Sequence, residues 1–176
     1  MIDRATARDL VAALRREFDE AFAEARVTEL VEPEALLEVT CGQTHYAFRL
    51  TEISGLLVDV AITPVASPMP ELRGIAGVRG ANVPVYDFAA LLGHPPDPQA
   101  RWVVLAGGTT PVGLAFARLN RHVKIRRDAI TGQNVAAAPQ HVGELVDLPN
   151  GARPVVSIAS LVDEIGRRVR AHRHRE

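Results

Sequence analysis

The chain has 176 residues and a formal net charge of −1, enough for one substantial domain and without a global pull toward nucleic acid or an anionic membrane surface. Its only cysteine, Cys41, excludes an intramolecular disulfide and any multi-cysteine metal site within one chain. No stretch reaches the roughly 20 apolar residues of a membrane helix, and a start charged at Asp3, Arg4, Arg8 and Asp9 lacks the apolar run of a signal peptide, so a cytoplasmic protein is expected.

Residues 3–30 place Leu10, Val11, Leu14, Phe18, Ala21, Phe22 and Ala25 at helical spacing, with Asp9, Arg15, Arg16, Asp19, Glu20 and Glu24 on the remaining faces. This predicts an amphipathic helical extension over residues 1–33, closed by Pro33. Its stripe suits packing against the next domain or docking and self-association, and the residues leave both open. From Leu36 the period shifts toward two, with Tyr46, Phe48 and Leu50 alternating against Ala47, Arg49 and Thr51 after a turn at Gly42. Pro64, Pro68 and Pro70 then break the chain.

The stretch from Gly74 to Gly93 is the most informative. Gly74, Gly77 and Gly80 recur every third residue, as in strands bent around a corner, and Arg79 sits at that bend. Val83, Val85 and Phe88 alternate across Pro84, Tyr86 and Asp87 before a helical turn from Ala89 to Leu92. Pro84 lacks an N–H, so a free strand edge is expected beside it. A Pro-rich linker, residues 94–98, leads to a hairpin around Gly107-Gly108-Thr109-Thr110 and a second one turning at Asn150-Gly151. Residues from Ser160 return to a helix ending in a basic tail over 167–176. Many short strands with Gly-rich turns point to a mainly β protein of small barrels.

No catalytic or cofactor motif is present: there is no Gly-x-Ser-x-Gly elbow, phosphate loop, dinucleotide fingerprint or paired metal-ligand spacing on a helix. The protein therefore reads as a non-enzyme without a cofactor or metal. Cys41 beside His45 fits a buried, inert thiol better than a nucleophile, and His172 with His174 makes only a weak metal pair. Asp59, Asp87 and Asp147 read as turn or cap residues. Arg167, Arg168, Arg170, Arg173 and Arg175 form a basic run that offers a second reading, nucleic-acid binding by a small-barrel protein, although helix-dipole complementation accounts for the same charges.

The segment around Gly74, Arg79, Gly80, Pro84, Val85, Asp87, Leu92 and Gly93, with the hairpin residues Gly42, Tyr46 and Phe48, resembles the CheW-like family of bacterial chemotaxis adaptors. The resemblance covers roughly residues 35–165 and implies two linked five-stranded SH3-like barrels over residues 34–166, flanked by an N-terminal and a C-terminal helix. It also implies an adaptor that couples the cytoplasmic tip of a chemoreceptor to the regulatory domain of a histidine kinase. Arg79 falls on a family position important for that coupling, as an internal brace or a direct contact. Ile53, Leu56 and Leu57 fall where the family has a partner-contact segment, and the core is their competing place. Gly74, Gly80, Pro84 and Asp87 would form the structural corner. Several polar positions depart from the family: Gly55 stands for a glutamate, Gly77 for an asparagine, and Ala117 and Ser157 for aspartates.

Overall fold

The computed structural model describes residues 33–109, 111–132 and 141–173. The helix expected over residues 3–30, its proposed self-association, and the tail residues His174 and Arg175 lie outside that set. The chain divides into a unit Met1–Pro33 and a compact unit Glu34–Glu176, and all that follows concerns the second.

Its elements in order are β1 (Glu34–Cys41), β2 (Thr44–Arg49), β3 (Ile53–Val58), β4 (Ile62–Thr63), β5 (Leu72–Val78), β6 (Ala81–Asp87), the short helix α1 (Phe88–Leu91), β7 (Trp102–Ala106), β8 (Gly113–Phe116), β9 (Arg118–Ile125), β10 (Ile130–Gly132), β11 (Val142–Leu148), β12 (Gly151–Val156) and α2 (Ile158–Arg173). The strands form two sheets, ordered β10-β11-β12-β2-β1-β9 and β3-β7-β8-β6-β5-β4. Each sheet has six strands, where five were expected. The additional strands β4 and β10 are two and three residues long, too short to display a period in sequence.

In both sheets the two edge strands follow one another in the chain, β9 before β10 and β3 before β4. Each sheet therefore curls until its edges are separated only by the short connections 126–129 and 59–61. The first sheet is discontinuous in sequence: the chain leaves it after β2, completes the whole second sheet, and returns at β9. Its two parts are joined by the β1–β9 ladder and by a parallel pairing of Val155 and Val156 with Ala47 and Phe48.

The β11–β12 hairpin turns one residue earlier than the sequence indicates. Leu148 pairs with Gly151, so Pro149 and Asn150 are the loop, and Gly151 opens β12 with φ 109°. Asp147 is an exposed position on β11 and neither turns nor caps the chain.

Three apolar clusters follow from the two-sided burial of the strands. Leu36, Ala47, Val146, Leu148 and Val155 fill the first curled sheet, and Ala76, Val78, Val83, Val85, Val103, Leu105 and Ala115 the second. A larger cluster lies between the sheets and takes Leu37, Val39, Tyr46 and Phe48 from one, Val104, Leu114 and Phe116 from the other, and Ile158, Leu161 and Ile165 from α2. The period-two reading of β2 is thus right for Tyr46 and Phe48, while Ala47 on its opposite face is buried as well.

Glu38, on the interior face of β1 with Leu36, is 1% exposed. Arg121 Nε donates to its Oε2 at 2.6 Å and Arg153 Nε to its Oε1 at 2.8 Å, so one carboxylate ties β1 to β9 and β12. Burial alone raises the carboxyl's pKa, but the hydrogen bonds and charges of Arg153 and Arg121 outweigh it and hold the group below its ordinary value of 4.5. A depressed carboxylate contributes stability that is fully present above its unfolded pKa and fades as pH falls through the folded one. Glu38→Gln leaves two guanidinium groups without their shared counter-charge and is expected to cost about 3 kcal/mol at pH 7. Urea unfolding should show the gap to the wild type narrowing as the pH falls below the ordinary carboxyl value of 4.5 and then through the lowered native one, where the native carboxyl is protonated too.

Candidate partner-docking site

Strand β3 is an edge strand, and its free side is apolar. Leu56 is 38% exposed and Val58 46%, and Val65, just beyond β4, is 39% exposed; these are the exposed large hydrophobic residues among those described. Ile53 and Leu57 are half-buried: Ile53 packs on the cluster between the sheets and Leu57 on that of the second sheet. Of the three sequence-predicted contact residues, only Leu56 is exposed. Val58 and Val65 were not foreseen, because exposure of an apolar residue depends on which strand forms the sheet edge and composition does not reveal that.

Arg79 and Gly80 are the two central residues of the β5–β6 hairpin, closed by the pair Val78 and Ala81. Both lie in the left-handed region, at φ 50° and 80°, the requirement of a tight two-residue hairpin turn. Arg79 is exposed at this tip and has no ion-pair or hydrogen-bond partner among the described residues. A brace does exist, and a different arginine provides it. Arg73 Nη1 donates to Asp87 Oδ2 at 3.0 Å and to the Asp97 carbonyl at 2.8 Å, while the Asp97 N–H donates to Asp87 Oδ2 at 3.2 Å. Asp87, 2% exposed, also accepts the Ala90 N–H at 3.1 Å and so caps α1 as its sequence position suggests.

Gly74 occupies the bulge of β5 with φ 147°, and a Cβ there would sit 2.1 Å from the Thr63 carbonyl oxygen. Pro84 lies on β6, whose ladder with β8 begins only at Val85, so its missing N–H falls on the uncovered flank. The four corner residues thus belong to one hairpin, which carries Arg79 at its tip and β4 along its side.

A second tie reaches the other end of the docking strand. Glu52, the residue before β3, accepts the N–H groups of Ile158 at 2.5 Å and Ala159 at 3.4 Å, and its own carbonyl accepts the Gly107 N–H at 2.7 Å. One residue thus satisfies the free donors at the start of α2 and fixes the point where β3 begins.

The CheW-like domain family matches residues 35–166. The chain belongs to that family. The CheW-like scaffolding protein TtCheW from Thermoanaerobacter tengcongensis, known from its crystal structure, is similar in fold, with a TM-score of 0.65 at 15% identity over 72% of this chain and 90% of that one. No curated protein matches the chain. CheW-like domains are the scaffolding adaptors of chemotaxis.

The family's departures here have different physical weights. Ser157 caps α2, its Oγ accepting the Ser160 N–H at 3.2 Å. Gly55 lies against Leu105, whose Cδ1 would be 3.1 Å from a Cβ, a tight contact with the end of a movable side chain. Nothing around Gly77 requires glycine. Ala117 lines an open cleft with Thr40, His94 and Arg118.

Cys41 is buried, and its thiol is pushed up to about 12 by burial, with the charges of Asp87 and Asp97 adding to it. The His45 ring instead bonds Thr40 and Asn120, so the two do not form a nucleophile and base. The basic run on α2 is partly neutralised: Arg168 pairs with Glu71 at 2.9 Å and Glu164 at 2.7 Å, and Arg167 pairs with Glu164. Arg167 and Arg168 are thereby committed to carboxylates of the domain. Among the described residues no three His, Cys, Asp or Glu side chains converge on a point, and no helix is long and apolar enough to cross a membrane.

Gly74→Ala is expected to destabilise the domain by about 2 kcal/mol or more, because φ 147° and the Thr63 carbonyl both oppose a Cβ. A thermal melt of the purified variant checks this, and Gly77→Ala, with open space around it, serves as the nearly neutral comparison.

Proposed function

We propose that the protein is a non-catalytic adaptor that couples the cytoplasmic tip of a chemoreceptor to the regulatory domain of a histidine kinase. In this reading residues 34–166 are the adaptor body, the two curled sheets act as paired SH3-like barrels, and the work is done in the cytoplasm. The observation that carries it is the exposure of apolar Leu56 and Val58 on the edge strand β3, with Val65 exposed just beyond β4. Apolar patches of this kind are retained at the surface where a partner covers them, and an unpaired strand adds backbone groups that a partner can satisfy.

Arg79, projecting from a hairpin tip with its guanidinium uncommitted among the described residues, supplies a polar contact at a second point. Two contacts of modest strength suffice, since engagement of one partner raises the effective concentration of the other. Signal transfer then requires that the adaptor's contacts differ in free energy between the active and inactive states of the kinase.

The test is a titration of the full chain with the cognate kinase regulatory domain, followed by calorimetry. Binding is expected in the micromolar range or tighter, with Leu56→Asp weakening it about tenfold or more and Arg79→Ala by a smaller factor. Ile53→Asp is a poorer probe, because Ile53 packs on the core and its loss would also unfold the domain. Absence of binding by the wild type at high micromolar concentration, or unaltered binding by both folded variants, would overturn the assignment.

A further inference from the structure

Strand β9 is an edge of the first sheet, on the opposite sheet from β3, and its exposed positions alternate as Arg118, Asn120, His122 and Lys124. Residues 118–127 contain Arg118, Arg121, Lys124, Arg126 and Arg127 and no carboxylate. Three of these cations are engaged elsewhere: Arg121 turns inward to Glu38, Arg126 pairs with Asp128, and Arg127 lies 3.9 Å from Glu34. Arg118 and Lys124 have no carboxylate within ion-pair distance among the described residues. At about 3.4 Å per residue they stand about 20 Å apart, with His122 between them.

The far side of β9 carries no ladder partner among the described residues. At its Arg118 end the surface is hollowed. A cleft of about 690 Å³ between the β1–β2 turn and the 94–99 linker meets a smaller one of about 370 Å³ at Gln99, Ala117 and Arg118. The one carboxylate lining these hollows, Asp97, accepts the Gln99 N–H at 2.9 Å and shares its backbone with the Arg73 brace.

Charges on an edge strand also discourage random pairing. The edge strand β3, by contrast, contains no charged residue. Like-signed charge repels copies of the same strand and attracts an acidic one. We propose that β9 is a docking edge for an acidic, extended segment of a partner protein, which adds to the sheet and sets carboxylates opposite Arg118, His122 and Lys124. A nucleic-acid strand fits less well, since the exposed positions of β9 hold no Phe, Tyr or Trp on which bases could stack. The inference rests on charge and topology and is independent of the kinase and receptor reading.

The experiment titrates the full chain against a fluorescent peptide of alternating Glu and Val, with a Lys and Val peptide and an oligothymidylate as further probes. Binding of the Glu peptide that weakens as salt rises is expected, together with slowed hydrogen exchange of the β9 amides. The double variant Arg118→Glu with Lys124→Glu, checked for an unchanged thermal melt, should bind the Glu peptide about tenfold more weakly or worse. Equal binding by that variant, failure of the peptide to bind at millimolar concentration, or no added protection in β9 would overturn the proposal. So would tighter binding of the oligothymidylate than of the peptide, which would reassign the strand to nucleic acid.

Discussion

The structure depends on the apolar layer that the two sheets share. Each curled sheet encloses only five or seven buried residues of its own, whereas the cluster between them contains twenty. Small units bury too little of their surface to be stable alone, so neither sheet is a self-sufficient domain. Phe48 of the first sheet packs edge-on against Phe88 at 4.8 Å and against Phe116 at 6.1 Å, and Tyr46 meets Phe88 at 5.6 Å. These aromatic contacts, with α2 laid over them through Ile158, Leu161 and Ile165, make the pair one cooperative body.

That body positions its docking features by polar ties at its margins. Asp87 joins α1, Arg73 and the linker at Asp97, which fixes the root of the hairpin bearing Arg79. Glu52 joins the first turn of α2 to the beginning of β3. Asp87 takes backbone donors and a guanidinium on its two oxygens, while Glu52 takes two backbone donors on Oε2. The candidate site is consequently a set of edges and tips held in place by these ties.

Much of the fold was legible in the sequence because its signals are local. The alternation of Tyr46 and Phe48, the Gly-bounded bend carrying Arg79 and the cap at Asp87 each depend on a few neighbouring residues, and the structure has them where the pattern puts them. The Asn150-Gly151 signal erred by one residue because the pairing of Leu148 with Gly151 overrides the local preference. What could not be read were the partners separated by many residues: Arg73 for Asp87, Glu52 for α2, and Arg121 and Arg153 for Glu38. The docking site was readable only in outline, since Leu56 and Leu57 are neighbours in sequence but one is exposed and the other packs on a core.

The return of the chain to its first sheet has a consequence for how the protein is made. The hairpin of β1 and β2 is synthesised early, yet of its neighbours β9 begins only at Arg118 and β12 only at Gly151. On the ribosome the outer side of β2 must wait for its parallel neighbour until Val156 has emerged. Such long-range closure slows folding and lengthens the exposure of sticky intermediates. It also means that no cut in the chain yields two viable halves, because the middle third is an insertion into a unit whose own ends must find each other across it.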